Sequence, residues 1–433
     1  MAHFPERGRI SLLRIQKAQS LLSFTELEAQ VNDATPEVRR AALPHLIRMG
    51  ETGIELVMNA LKDPAPSVVW EAYSLLRVQS QQRVQSILKK DNPYRSFKCV
   101  AIIAGKPEQL TCVSFAQLSP KSEEPIVLIG DTGGNVQTFS LSSQHKLNQW
   151  QAHIGEVTIL TNLPNYQDLA NGFPLLLSGG RDRAVRVWKE KTESAFITLE
   201  GHTDWISAIA VAPRLNGASP TLTRFLTASR DKTIKLWSLQ SPCELATFIG
   251  HQYAISSVTF SPDGQSVVSG SLDQTVKIWN LKSKRLVRTL EGHEAAVSSV
   301  ATAPALFPTS QDRFIVASGG LDTIIRIWQD NEEKLLKSLK GHQEAVTSLA
   351  ISPDGLILAS GSGDRTVRLW EVFSGKCISV LRGHKNWVSK VTFSPDGRLL
   401  ASCSDDGTIR IWGLRPVSTD PLAHTFKPKT ALL

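Results

Sequence analysis

One pattern recurs along about three quarters of this chain and limits what it can fold into: Gly-His, an apolar stretch, a run of small residues, an Asp, and a Trp six residues after that Asp. Gly-His stands at Gly201-His202, Gly250-His251, Gly292-His293, Gly341-His342 and Gly383-His384, with Ala152-His153 as a weaker copy. The Trp residues are Trp188, Trp237, Trp279, Trp328, Trp370 and Trp412, separated by 49, 42, 49, 42 and 42 positions. Self-similarity at such a period marks one supersecondary unit used repeatedly, each copy burying its apolar face against the next. Inside a copy, Thr366-Val367-Arg368-Leu369-Trp370 alternates apolar and cationic residues with the period of two that a half-buried strand requires. Ser-Pro-Asp-Gly at 261–264, 352–355 and 394–397 supplies type I turns, Pro presetting φ and Gly closing the turn, so each copy is a set of hairpins.

These residues and spacings resemble the WD40 repeat family. The resemblance implies a mainly β fold, a seven-bladed propeller over residues 97–414, with a degenerate first copy in which Lys106 replaces the His, Gly133 the Asp and Phe139 the Trp. No copy carries the Trp-Asp dipeptide that names the family. By the same resemblance, His342, Ser360, Asp364 and Trp370 form a hydrogen-bonded relay inside one blade. So do the equivalents His202, Asp231 and Trp237; His251, Asp273 and Trp279; His293, Asp322 and Trp328; and His384, Asp406 and Trp412. A buried indole N–H, imidazole and carboxylate each need partners, because an orphaned polar group costs about 1–3 kcal/mol. Ser, His and Asp together also suggest a hydrolase. A catalytic triad occurs once, however, whereas this set recurs blade after blade, and no G-x-S-x-G elbow is present.

A propeller must bond its last blade to its first. Residues 98–103, Lys98 to Ile103, precede Gly105-Lys106 as Arg285 to Leu290 precede Gly292-His293, so they are expected to complete blade 7. Leu422 to Phe426 resembles the same strand, which makes residues 415–433 either a tail or an additional edge strand. Before residue 93 the apolar period changes to 3.6. Asn32-Asp33 matches Lys62-Asp63, Pro36 matches Pro66, Val38 matches Val68, Ala42 matches Ala72 and Leu46 matches Leu76, an offset of 30 residues. Thr35-Pro36-Glu37 reads as a helix start with an N-cap hydroxyl, and Gly50 as a stop. These pairs resemble HEAT-type repeats and give residues 1–92 a small α-helical domain, led by an amphipathic helix near Ile10 to Leu22. The whole arrangement is similar to bacterial, including cyanobacterial, WD-repeat proteins.

The specific searches for enzymes fail: there is no phosphate loop, G-x-G-x-x-G or H-E-x-x-H motif. The repeats consume six of the ten histidines, and Cys99, Cys112, Cys243, Cys377 and Cys403 contain no C-x-x-C pair. No catalytic residue, cofactor or metal is therefore expected. The cysteines read as buried small hydrophobes of a reducing compartment, and the N-terminus lacks the apolar core of a signal peptide, which places the chain in the cytoplasm. The expected function is a protein–protein scaffold or adaptor without membrane insertion.

Candidate partner-binding residues sit beside the Gly-His and Asp turns, which the family geometry puts on one face around the channel mouth. They are Trp205, Trp387 and Tyr253, with Arg181, Arg183, Arg230, Lys232 and Arg365 flanking the turn Asp residues. Trp, Tyr and Arg anchor interfaces most often. Blades 2 and 3 hold four of these cations and Trp205, which suggests a basic aromatic patch for an acidic peptide or loop. The net charge of +8 leaves nucleic acid or another anionic surface as the alternative partner. Long connections at Leu163 to Phe173, Pro213 to Thr223 and Pro304 to Arg313 mark the opposite face as a further candidate.

Overall fold

A computed structural model of the chain describes residues 23–79, 81–106, 109–117, 125–163, 175–189, 194–213, 224–240, 242–304, 314–330, 335–414 and 429–432. The helix read near Ile10 to Leu22, the strand-like Leu422 to Phe426 and the interiors of the three long connections lie outside the described residues. The chain divides into two compact units, one helical up to Lys98 and one of strands over Cys99–Gly413 with the C-terminal strand.

The helical unit contains α1 (Phe24–Val31), α2 (Pro36–Leu46), α3 (Glu51–Asn59), α4 (Pro66–Leu76) and α5 (Gln82–Lys90). Ser23 and Glu26 form a reciprocal capping box on α1. The 30-residue repeat has a local cause. Asp33 Oδ1 accepts from Thr35 N at 2.7 Å and Asp63 Oδ1 from Ala65 N at 2.8 Å, each turning the chain into a helix that starts with Pro. The Thr35 hydroxyl makes no cap bond. No side chain caps the helix, which corrects the N-cap reading; Asp33 instead makes a turn onto the N–H of Thr35 itself. Arg39 grips Asp63 through two bonds of 2.8 Å, joining one repeat to the next by a bidentate pair. Leu43, Leu46, Val57, Ala72, Leu76 and Val84 are fully buried between the helices. Trp70, Tyr73 and Tyr94 meet edge to face with centroids 5.2–6.1 Å apart.

The second unit is a seven-bladed propeller. Strands β2–β5 occupy Leu110–Gln151, β6–β9 Val157–Leu199, β10–β13 Ile206–Ile249, β14–β17 Ile255–Leu290, β18–β21 Val297–Leu339 and β22–β25 Val346–Arg382. Each group is a four-stranded antiparallel sheet. The seventh sheet has the order β26 (Val388–Phe393), β27 (Leu400–Ser404), β28 (Thr408–Gly413), β1 (Lys98–Ala104), β29 (Lys429–Leu432). An N-terminal strand therefore occupies the fourth place of the last blade, and β29 runs parallel to it as a fifth. Neighbouring first strands pack on one another around the ring, and β26 meets β2.

Two features hold successive blades in register. Apolar clusters span junctions between neighbouring blades, as where Ile103, Ala401, Ile409 and Ile411 of blade 7 meet Leu110, Val113 and Val127 of blade 1. A hydroxyl also stands second in each first strand. Thr111, Thr158, Ser207, Ser256, Ser298 and Thr347 donate to the carbonyls of Val157, Ile206, Ile255, Val297, Val346 and Val388 in the following blade. The seventh, Ser389, turns back to Cys403 O of its own blade at 3.2 Å.

The residue after the repeat Asp is left-handed in every repeat-bearing blade: Arg183, Lys232, Gln274, Thr323 and Arg365 have φ between 67° and 71°, and Gly407 has 78°. A β-branched side chain is the most strained occupant of that region. Thr323→Gly is expected to raise stability by about 0.5–1 kcal/mol, read as a higher urea midpoint.

Candidate functional site

Within each repeat-bearing blade the Trp indole donates to a hydroxyl ten residues earlier: Trp188 to Ser178, Trp237 to Thr227, Trp279 to Ser269, Trp328 to Ser318, Trp370 to Ser360 and Trp412 to Ser402, all at 2.8–2.9 Å. The same hydroxyl lies 2.7–2.8 Å from Nε2 of His153, His202, His251, His293, His342 and His384 respectively. Nδ1 of each His meets Asp182, Asp231, Asp273, Asp322, Asp364 or Asp406 at 2.7–3.1 Å. A carboxylate only accepts, so in blades 3, 4, 6 and 7 Nδ1 donates to the Asp, and the hydroxyl, which accepts the indole N–H, is left to donate to Nε2; in blades 2 and 5 Arg186 and Arg326 also reach Nδ1, at 2.7 and 2.8 Å. Sequence reading named only Ser360 among these hydroxyls. The constant offset of ten before each Trp was the available signal.

The carboxylates tie two turns together. Oδ2 of Asp231 accepts from Thr203 N at 3.0 Å, and Oδ1 accepts from Thr233 N at 2.9 Å and from the Thr233 hydroxyl at 2.7 Å. Thr275, Thr366 and Thr408 do the same in blades 4, 6 and 7. In blades 2 and 5, where Ala184 and Ile324 stand instead, Arg186 and Arg326 donate to the carboxylate at 2.5–2.6 Å. Burial acts to raise these carboxyls, but the His, hydroxyl and Arg donors outweigh it and hold all six well below the usual carboxylate range. The arrangement matches a hydrolytic triad in its contacts but not in access. The six relay hydroxyls have no solvent-exposed surface and already accept an indole N–H, so no substrate can reach them.

The relay brings the two turns of each blade side by side on one face. There the residue before the Asp donates its N–H to the carbonyl of the residue that precedes the first strand, at 2.8–3.0 Å in all seven blades. This bond defines equivalent rim positions. Blades 1 and 2 place polar or charged pairs there, Gln109 with Thr132 and Glu156 with Arg181, and blade 3 pairs the indole of Trp205 with Arg230. Blades 4–6 place Ala254 with Leu272, Ala296 with Leu321, and Ala345 with Gly363, and blade 7 places Trp387 with Asp405. Leu272, Leu321 and Trp387 are 46–50% exposed, and Tyr253 of blade 4 is 62% exposed.

The eight candidate partner residues thus separate into different environments. Arg181 and Arg230 stand over the Trp205 ring with Cζ 4.1 and 4.2 Å from its centroid, and Arg181 also pairs with Glu156. Trp205 is half-buried. Lys232 lies over Tyr253 at 5.9 Å. Arg183, Lys232 and Arg365 are exposed tips of the left-handed turns. Sequence reading missed Leu272 and Leu321, although they stand immediately before the repeat Asp, as Arg181 and Arg230 do in blades 2 and 3. Three cysteines are buried, with burial pushing Cys112 and Cys403 up to about 12. Cys243 is exposed and Cys377 half-buried, because the outermost strand of a blade leaves one side to solvent. Among the described residues no helix is long and apolar enough to cross a membrane.

Residues 194–238, 242–280, 284–329, 333–371 and 375–413 match the WD domain, G-beta repeat family, which covers blades 3 to 7. Residues 15–93 match the ARM-like repeat domain, GUN4-N terminal. Over 145 residues the chain is 31% identical to the phospholipase A-2-activating protein of Xenopus laevis, a stretch that is 34% of this chain and 17% of that protein. The match therefore spans less than a fifth of that relative's length. Blade 1 has no internal relay, since Phe139 and Ile129 fill the indole and hydroxyl places with apolar groups that need no partner. The chain belongs to the WD40-repeat propeller proteins, with an ARM-like helical repeat domain preceding the propeller in sequence.

Proposed function

We propose that this protein is a non-enzymatic scaffold of the cytoplasm that binds partner polypeptides on the turn face of its propeller. The observation that carries the reading is the apolar arc of blades 4–7, where Leu272 and Leu321 stand half-exposed at the position that Thr132, Arg181 and Arg230 fill in blades 1–3, and Trp387 stands half-exposed on the same rim. Exposed leucines and an indole on a rigid rim serve protein contact. The arginines that suggest an anionic partner are engaged with Trp205 and Glu156, so the basic patch of blades 2 and 3 offers less free charge than its sequence implies.

The test is affinity capture from the native lysate, nuclease-treated, with wild type, a Leu272→Lys/Leu321→Lys variant, and a Val287→Lys control on the outer edge of blade 4. Exposed substitutions of this kind change stability by about 0.5 kcal/mol or less, so all three should melt together. Partners lost from the rim variant and kept by the control are the expected result. Retention of every partner by the rim variant rejects the reading, and recovery of nucleic acid in place of protein before nuclease treatment favours an anionic partner.

A further inference from the structure

The propeller presents the same rim position twice with an indole, once filled and once empty. Trp205 and Trp387 share a backbone setting. The N–H of each is capped by the preceding side chain, Asp204 Oδ1 at 2.7 Å and Asn386 Oδ1 at 2.9 Å. Each carbonyl accepts at 3.0 Å from the residue before the repeat Asp, Arg230 in blade 3 and Asp405 in blade 7. At Trp205 the two adjacent rim positions are Arg181 and Arg230, whose guanidiniums stand 4.1 and 4.2 Å from the ring centroid. At Trp387 those positions are Gly363 and Asp405. The Trp387 ring rests against Gly363, where a Cβ would lie 3.1 Å from Cε2. Beside it opens a cavity of about 480 Å³ lined by Gln343, Glu344, Asp364, Arg365 and Asn386.

Resting on the reading that this rim binds polypeptide, we infer that the Trp387 cavity takes the guanidinium of an arginine side chain presented by a partner. The molecule's own Trp205 shows that this rim geometry accommodates guanidiniums over the indole, and blade 7 leaves the same space open. The charge supports a cation. Where blades 2 and 3 carry Arg181 and Arg230, blades 6 and 7 carry no side chain and a carboxylate. Glu344, exposed at the cavity wall, makes no ion pair among the described residues. Asp364 is occupied by His342, and Arg365 is the one wall cation opposing the ligand. A planar guanidinium can stack on the indole and turn its fork to Glu344, which a compact, strongly hydrated ammonium does less well. The flanking residues of such a ligand would continue over Ala345 toward Leu321 of the apolar arc.

The experiment uses the full chain, isotope-labelled at the tryptophan indoles, titrated with N-acetyl-arginine amide and, in parallel, with the citrulline and glutamate analogues. Trp387→Phe assigns the Trp387 indole resonance, and the unmoved Trp205 resonance reports that each variant is folded. Arginine amide is expected to shift the Trp387 signal saturably, about tenfold more tightly than the uncharged citrulline isostere. Glu344→Gln should weaken binding about threefold, and Arg365→Ala should strengthen it by removing a like charge. Asp405→Arg rebuilds the Arg230 position and should abolish binding by filling the site from within. A Trp387 signal that ignores arginine, or that moves equally with citrulline or glutamate, overturns the inference. So does arginine binding that survives Asp405→Arg. If these fail while Leu272→Lys/Leu321→Lys still loses its partners, the scaffold reading stands and the arginine site alone falls. If the probe binds but captured partners are indifferent to Asp405→Arg, the assignment to a partner's arginine is overturned.

Discussion

A chain that begins at Gly105, and so lacks β1, is expected to lose cooperative folding of the propeller and to self-associate, whereas one that begins at Lys98 folds cooperatively and does not self-associate. Strand β1 covers the free edge of β28, and an uncovered edge exposes a row of unpaired N–H and C=O groups that recruit another strand. Ile103, 1% exposed, sits in the cluster that joins blade 7 to blade 1. This junction is also where the hydroxyl series is interrupted, since Ser389 bonds to Cys403 of its own blade and not across to blade 1. Ring closure therefore leans on β1 and its apolar contacts. Ile103→Asp, which buries a carboxylate among Ile409, Ile411 and Val113, should cost at least about 4 kcal/mol. Ending the chain at Leu414 removes β29, the fifth, outer strand, together with residues 415–428, leaves β1 in place, and should leave the propeller's midpoint nearly unchanged. Urea denaturation with size-exclusion chromatography separates these outcomes. A wild-type midpoint for the chain from Gly105 would show that β1 is dispensable.

The second large effect lies in the relays. Ser360→Ala should destabilise by about 2–5 kcal/mol, because one substitution orphans both the Trp370 indole N–H and His342 Nε2 in a site with no solvent. Ser360→Thr should be far milder, since Thr227 already serves the same role in blade 3. The relays also fix the sign of the pH dependence. Six Asp carboxyls are held low in the folded state, so their contribution is complete above the unfolded value of about 4 and is lost as pH falls below it. Burial lowers His384 despite Asp406, so the unfolded chain takes up that proton first, and stability begins to decline below about pH 6.5. Both effects act in the same direction. The urea midpoint should fall gently from near neutrality and steeply below about pH 4, and Asp364→Asn should lower the neutral plateau while flattening the acid limb. A midpoint that rises on acidification would contradict the relay assignment.

The blades, the turns and most of each relay were legible in the sequence because the interactions that form them are short-range and periodic. Trp370 finds Ser360 ten residues away, Asp406 caps Thr408 two residues on, and Ser-Pro-Asp-Gly closes its own hairpin. The helical repeat was legible for the same reason, although the Thr35 hydroxyl caps nothing and the helix is entered through the Asp33 turn. The hydroxyl series is different. Thr111 or Ser256 looks like any strand residue until its carbonyl partner, 46 or 41 residues further on, is brought beside it by the ring. Trp205 and Trp387 show the limit most directly. They occupy the same place in the repeat and are indistinguishable by spacing, yet one stands under two guanidiniums and the other lies open. The sequence alone determined the repeating unit and the number of times it occurs. Which of its two rim indoles is covered was decided by the ring, because each takes a neighbour from the preceding blade, Arg181 in one case and Gly363 in the other.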